Sequence, residues 1–265
     1  MKKSLLIVSM SVLVSSTFAL TASDDASNYG GGWSTGDNSG SGFGTWDLTD
    51  NNNNGTDVFA GYLIGNSTEG AGDLNTGTNQ SFYIYANPVA AFASAQRDFN
   101  TALVLNDQFT FNFGVQNDNG NKGFTIRNDG DQEVFGFNVG SGASVNGAFT
   151  NNPVAATYDF GGGDALLQAV ITIIDDSVGS SQLSYSISRI SSAGTQGVLF
   201  SGTVTGITGL IDNFTFYNSG TDAGENAANN LYFNSLSVAS VPEPGAYALI
   251  AGALALLCVA TRRRG

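Results

Sequence analysis

Residues 107–115 read Asp-Gln-Phe-Thr-Phe-Asn-Phe-Gly-Val, and residues 123–139 read Gly-Phe-Thr-Ile-Arg-Asn-Asp-Gly-Asp-Gln-Glu-Val-Phe-Gly-Phe-Asn-Val. In the first stretch Phe109, Phe111 and Phe113 fall on one face of an extended chain, and Thr110 and Asn112 on the other. Period two with one polar face is the pattern of a half-buried antiparallel strand. In the second stretch two strands, Gly123–Arg127 and Glu133–Val139, flank Asn128-Asp129-Gly130, residue types that favour the φ > 0 of a tight hairpin turn. Working outward, the same reading predicts strands over Val58–Ile64, Ser81–Ala86, Ala91–Phe99, Gln108–Val115, Ala169–Ile174, Leu183–Ile190, Val198–Val204, Phe214–Tyr217 and Leu231–Val238. Asn119-Gly120, Asn146-Gly147 and Gly161-Gly162-Gly163 punctuate them. Helix and strand compete only over Ala165–Ile174. So many short strands, separated by turn residues, predict an all-β fold, an antiparallel β-sandwich or jelly roll.

The two ends read differently. Lys2 and Lys3 precede an apolar stretch from Ser4 to Phe18, and Thr17-Phe18-Ala19 places small residues at a cleavage site. This is the layout of a secretory signal peptide over 1–19, with cleavage after Ala19, or after Ala22 or Ser23. At the other end Val241-Pro242-Glu243-Pro244-Gly245 leads into an apolar run and then Arg262, Arg263 and Arg264. The uncharged run Gly245–Thr261, taken as a helix at ~1.5 Å per residue, spans ~26 Å, near the lower limit for a bilayer core. We therefore expect a transmembrane helix over 246–261. The arginines 262–264 stay cytoplasmic as a membrane stop, which leaves the main domain on the far side.

Between the ends, residues 20–44 form a Gly/Asn/Ser-rich leader, or a first strand preceded by one, and 45–240 form the sandwich. From Leu20 to Ser240 there are 21 acidic and four basic residues, a balance of −17 that the whole-chain value of −13 conceals. Such a surface repels nucleic acid and anionic headgroups and suits an extracellular protein. This part has no His and no Cys. Ser-His-Asp and Cys-His catalysis, the usual zinc sites and disulfide staples are thereby excluded, and stability must come from a hydrophobic core.

The C-terminal order of motif, span and arginines resembles the PEP-CTERM sorting signal of Gram-negative bacteria, here over 241–265. The resemblance makes Pro242, Glu243 and Pro244 the motif read by exosortase, the membrane protease-transferase of that system. It implies tail removal after export through the inner membrane by the secretion machinery. The destination it implies is the cell surface, the outer envelope or an extracellular polysaccharide matrix. A second resemblance rests on Gly123–Arg127, Glu133–Val139, Gly209-Leu210-Ile211-Asp212-Asn213-Phe214 and Asn230-Leu231-Tyr232-Phe233-Asn234. These segments are similar to exported concanavalin-like jelly rolls, which implies two stacked antiparallel sheets and does not by itself imply sugar binding.

Three sets of residues carry candidate chemistry. Asp129, Asp131 and Glu133 stand at i, i+2 and i+4, the spacing with which jelly-roll glycoside hydrolases set an acid/base and a nucleophile ~5–5.5 Å apart. This sequence has Asp where that pattern has Glu, and Gly130 points to a hairpin turn instead. Asp50, Asn52, Asn54 and Gly55 form the first half of a Ca²⁺ loop that Asp57 or a distant carboxylate would close, although no Glu stands at loop position 12. Tyr29, Trp33, Tyr83 and Tyr85 are candidates to stack on sugar rings, but Tyr83 and Tyr85 alternate with Phe82 and Ile84, and one of those two faces must be core. The expectation is an exported structural or adhesive sandwich, not an enzyme, with polysaccharide or Ca²⁺ as its ligand. The alternative is a secreted glycoside hydrolase acting through Asp129, Asp131 and Glu133.

Overall fold

Phe109, Phe111 and Phe113 lie in the strand Asp107–Gly114, and all three rings are fully buried. The computed structural model describes residues 19–30, 32–52, 58–88, 90–139, 142–149, 166–177, 179–190, 197–222 and 224–241. Among these, two antiparallel sheets face each other. The first sheet contains β1 (Ala19–Asp24), β3 (Phe59–Gly65), β4 (Ser81–Asn87), β6 (Asp107–Gly114), β11 (Leu166–Asp175), β12 (Ser181–Arg189), β13 (Gly197–Ile207) and β15 (Leu231–Ser240). Its order is β13-β12-β11-β6-β15-β4-β3, with β1 also pairing with β15. The second contains β2 (Phe43–Asp50), β5 (Phe92–Leu103), β7 (Asn121–Asn128), β8 (Glu133–Val139), β9 (Gly142–Val145), β10 (Ala148–Phe149) and β14 (Ile211–Ser219), in the order β10-β9-β8-β7-β14-β5-β2. Leu20–Ser240 forms one compact unit. The predicted all-β antiparallel sandwich is thus observed.

Alternation places the core. Phe109, Phe111 and Phe113 face inward, while Gln108 and Asn112 on the outer face hydrogen-bond to Thr172 and Gln168 of the neighbouring strand. Aromatic rings join the sheets across the gap: Phe216 stacks on Phe233 at 3.9 Å and Phe135 on Tyr185 at 4.1 Å. Phe111 meets Phe124 edge-on at 4.7 Å. Offset-stacked and edge-on pairs satisfy the ring quadrupoles and add to the burial of apolar area. The β9–β10 turn is Asn146-Gly147, with φ of 52° and 74° as a two-residue hairpin requires. The competition over Ala165–Ile174 resolves as strand β11 from Leu166 onward.

The stretch 20–44 departs from the leader expected there. Instead of preceding the sandwich, it is built into it. β1 extends the first sheet beside β15, and Thr21 Oγ1 donates to the Val238 carbonyl. Trp33 is buried against Trp46, Tyr62, Phe82 and Phe233. An ion pair between Asp24 and Arg97, both side chains fully buried, fixes the segment across the core. Asp24 also accepts from Tyr29 Oη at 2.5 Å, Asn28 Nδ2 at 2.9 Å and the Asp25 amide at 2.9 Å. Trp46 Nε1 donates to Tyr29 Oη, and Arg97 donates to the Gly44 carbonyl and Asn38 Oδ1. The guanidinium lies 4.9 Å from the Phe43 ring and 4.8 Å from the Trp46 ring. Every charge in the cluster therefore has a partner, the condition for burying one at all.

Candidate functional site, a tyrosine-lined groove

Because β4 turns Phe82 and Ile84 inward, it must turn Tyr83 and Tyr85 outward. Pairing then assembles a surface from distant parts of the chain. Tyr83 lies opposite Tyr232 of β15 on one side and Leu63 of β3 on the other, while Tyr85 lies opposite Gly61. The ring centroids of Tyr83 are 5.4 Å from Tyr232 and 6.3 Å from Tyr85, so three phenols form a row. The glycines of β3 make room for it. A Cβ on Gly61 would stand 2.6 Å from Tyr85 Oη, and one on Gly65 would stand 2.8 Å from a Tyr83 ring carbon. The rings therefore lie across the neighbouring strand, and Phe59 and Leu63 beside them are half exposed.

Two loops wall the row. The first carries a short 3-10 turn, Ser67–Glu69, capped by Asn66, whose Oδ1 accepts from the Thr68 amide. Leu74 and Ala71 fasten this loop by packing on Leu166 and Tyr232 at the outer face of the sheet. Buried Asn234 donates to the Leu74 and Gln80 carbonyls. The second loop carries Glu225, Asn226 and the 3-10 turn Ala227–Asn229. Asn87 Nδ2 holds it at the Gly224 carbonyl, and Asn119 holds it at Asp222 and Asn229. Asn119 is fixed in turn by the buried Lys122 ammonium, which donates to the carbonyls of Asn117 and Asn119 and to Asn119 Oδ1 at 2.6–2.8 Å. Burial pushes Lys122 down to about 8, against the pull of Asp118 and Asp222. The loops meet where Gly70 passes the Ala227 carbonyl, a place with no space for a Cβ.

The result is a cavity of about 470 Å³ lined by aromatic rings, Asn66, Asn87, Asn226 and Asn230, and the carboxylates Glu69 and Glu225. Burial raises the phenols of Tyr83 and Tyr85 and takes Tyr232 to about 12. They are neutral hydroxyls at physiological pH, able to donate and accept. An apolar floor with a few amides and charges at its rim is the usual form of a small-ligand site.

The other candidates fall elsewhere. Asp129 and Asp131 sit in the turn between β7 and β8, and only Glu133 lies on a strand, so the three do not line one strand face. Asp131 accepts from Arg127 and Gln96, and Glu133 accepts from Ser144 Oγ. Burial, then Asp98, Asp129 and Asp131, raise Asp212 beside this hairpin, while Asn213 pulls it down. Asp50 ends β2 and accepts from the Asn52 amide, whereas Asn54 and Asp57 lie outside the described residues. Among the described residues no group of three acidic side chains is placed to hold a metal. Of the four aromatic candidates, Trp33 is core and Tyr29 is engaged with Asp24, while Tyr83 and Tyr85 line the groove. Sequence reasoning missed Tyr232, Glu69, Glu225, Phe59 and Leu63. Pairing of β4 with β15 brings Tyr232 beside Tyr83 from far along the chain, and pairing of β3 with β4 sets Phe59 and Leu63 alongside, so no local spacing announces the group.

The sorting residues Pro242, Glu243 and Pro244, the expected span 246–261 and Arg262, Arg263 and Arg264 lie outside the described residues. Among the described residues no helix is long and apolar enough to cross a membrane. β15 ends at Ser240, whose hydroxyl donates to Asp107, so the sandwich runs to within two residues of Pro242.

Comparison with known proteins bears on both parts of the chain. Residues 240–264 match the PEP-CTERM protein-sorting motif. The chain therefore carries that signal, which implies processing by exosortase and export to the cell surface. No curated protein matches the chain. Solved structures similar to it include the endo-β-1,4-glucuronan lyase of the fungus Trichoderma reesei, at 10% identity over 74% of this chain and 95% of that one, with a TM-score of 0.36. The exoplasmic/lumenal domain of VIP36, in a Ca²⁺/mannose-bound form, is 11% identical over 75% and 84%, with a TM-score of 0.36. The K1 cleaved adhesin domain of Lys-gingipain from Porphyromonas gingivalis is 14% identical over 74% and 91%, with a TM-score of 0.30.

Proposed function

We propose that this protein is an exported structural or adhesive module, associated with the cell surface or the extracellular matrix, that holds polysaccharide in the tyrosine-lined groove without cleaving it. The row of Tyr85, Tyr83 and Tyr232 carries the reading. A pyranose presents a C–H face that packs on an aromatic ring and a rim of hydroxyls that seeks amides and carboxylates. The groove offers both, with Asn66, Asn87, Asn226 and Asn230 beside the rings. The sorting motif supports the setting, since it implies delivery to the surface, where such polymers lie. A rigid sheet holds the tyrosines, so little ordering is required when a ligand binds. A glycan array probed with residues 19–240 tests this. Binding to at least one polysaccharide, lost in Tyr83→Ala and Tyr85→Ala, is expected, and no binding to any glycan refutes it. Incubation of every bound glycan with the protein should release no reducing ends. Hydrolysis that disappears in Glu133→Gln would establish the enzyme instead.

A further inference from the structure

The groove is acidic in a way that selects among glycans. Glu69 reaches it from one loop and Glu225 from the other, and among the described residues no basic side chain lines it. Both are felt at the row of rings: burial is the main cause that raises the three phenols, neighbouring phenols add to it at Tyr83 and Tyr232 with Glu69 a smaller contribution, and Asp50 and Glu225 raise Tyr85 further. The four basic residues of 20–240 are all committed elsewhere. Arg97 is buried with Asp24, and Lys122 is buried under its three oxygens. Arg127 pairs with Asp131 at the β7–β8 hairpin of the other sheet. Arg189 ends β12, which β11, β6 and β15 separate from β4. A uronate or sulfated sugar would bring its charge to two carboxylates with no cation to receive it. A sugar ammonium would find carboxylate acceptors for charge-assisted hydrogen bonds and electron-rich ring faces beside them.

We propose that the ligand of this groove is an amino-sugar polymer with free, protonated amines, which bind between Glu69 and Glu225 over the tyrosine row. This rests on the glycan-binding reading and narrows it to one chemical class. Calorimetric titration of residues 19–240, which contain the compact unit Leu20–Ser240, separates the two claims. The probes are hexamers of glucosamine, N-acetylglucosamine and glucuronic acid at about pH 5.5, acidic enough to keep the sugar amines protonated. The glucosamine hexamer is expected to bind at least about tenfold more tightly than its N-acetylated form. That ratio should fall towards one in Glu69→Gln/Glu225→Gln, and also in wild type at about 1 M salt, where the Debye length is ~3 Å. The glucuronic acid hexamer should not bind. Equal affinity for the amine and the N-acetyl form, or binding of the uronate, overturns the amine assignment and leaves glycan binding standing. No binding by any hexamer, together with a blank array, removes both. A thermal melt of the Gln variant matching wild type shows that a lost preference reflects the charges and not the fold.

Discussion

Replacing Asp24 by Asn tests whether the segment 20–44 is part of the fold. Asp24 and Arg97 are both fully buried, one at the end of β1 and the other on β5 of the opposite sheet. Breaking such a pair costs about 3–5 kcal/mol, because the surviving charge is left desolvated without its counter-ion. Arg97 would keep the Gly44 carbonyl, Asn38 Oδ1 and the rings of Phe43 and Trp46, which argues for the lower part of that range. In a domain of this size each kcal/mol moves Tm by about 2–4 °C, so a loss of about 6–12 °C is expected from about 3 kcal/mol. Differential scanning calorimetry of residues 19–240 measures it. The double variant Asp24→Asn/Arg97→Met removes the orphaned charge as well and should melt above Asp24→Asn alone. A single variant melting within about 2 °C of wild type, or a double variant melting lower than the single, would refute the staple and return 20–44 to the status of a leader.

Stability should rise and then fall with pH. Lys122, at about 8 in the fold against its ordinary 10.5, loses its proton in the folded state first, so the unfolded chain binds more protons and stability grows above pH 8. Tyr232, at about 12 against 10.0, keeps its proton longer in the fold, so stability falls above pH 10, by at most ~2.7 kcal/mol from this group. Urea midpoints at about pH 7, 10 and 11.5 check both signs, and Lys122→Met should abolish the rise. Pulse-chase labelling in the native host should show loss of the C-terminal span, blocked by Pro242→Ala with Glu243→Ala. Unchanged processing in that variant defeats the sorting reading. Mass spectrometry of the exported protein should find Leu20 first, because a cut after Ser23 would remove nearly all of β1 and leave Asp24 as a chain end.

The sheets were legible where a single strand carries its own signal. Phe109, Phe111 and Phe113 alternate so plainly with polar residues that strand, face and core follow from local pattern. β1 was hidden by composition, since Leu20–Gly44 is rich in Gly, Ser, Asn and Asp. Its structure depends on side chains that find partners far away, Asp24 at Arg97 and Trp33 among Phe82 and Phe233. β9 and β10 are short, and only their Asn146-Gly147 turn announces them. For the groove, the sequence offered Tyr83 and Tyr85 with the choice of face open. Phe82 and Ile84 filling the core settled it. Tyr232 and Glu225 arrive through long-range pairing and loop closure, which leave no mark on any short window of sequence. The sorting motif is the opposite case, legible from a contiguous run of sequence and matched over residues 240–264.

The most direct test follows the protein in its own host. Wild type and Tyr83→Ala/Tyr85→Ala are expressed at equal levels, and cells, extracellular matrix and medium are separated and quantified by immunoblot. Both proteins are expected to be exported and to lose their tails, with wild type staying in the matrix and the tyrosine variant passing into the medium. Retention of the variant in the matrix to the same extent as wild type would contradict this.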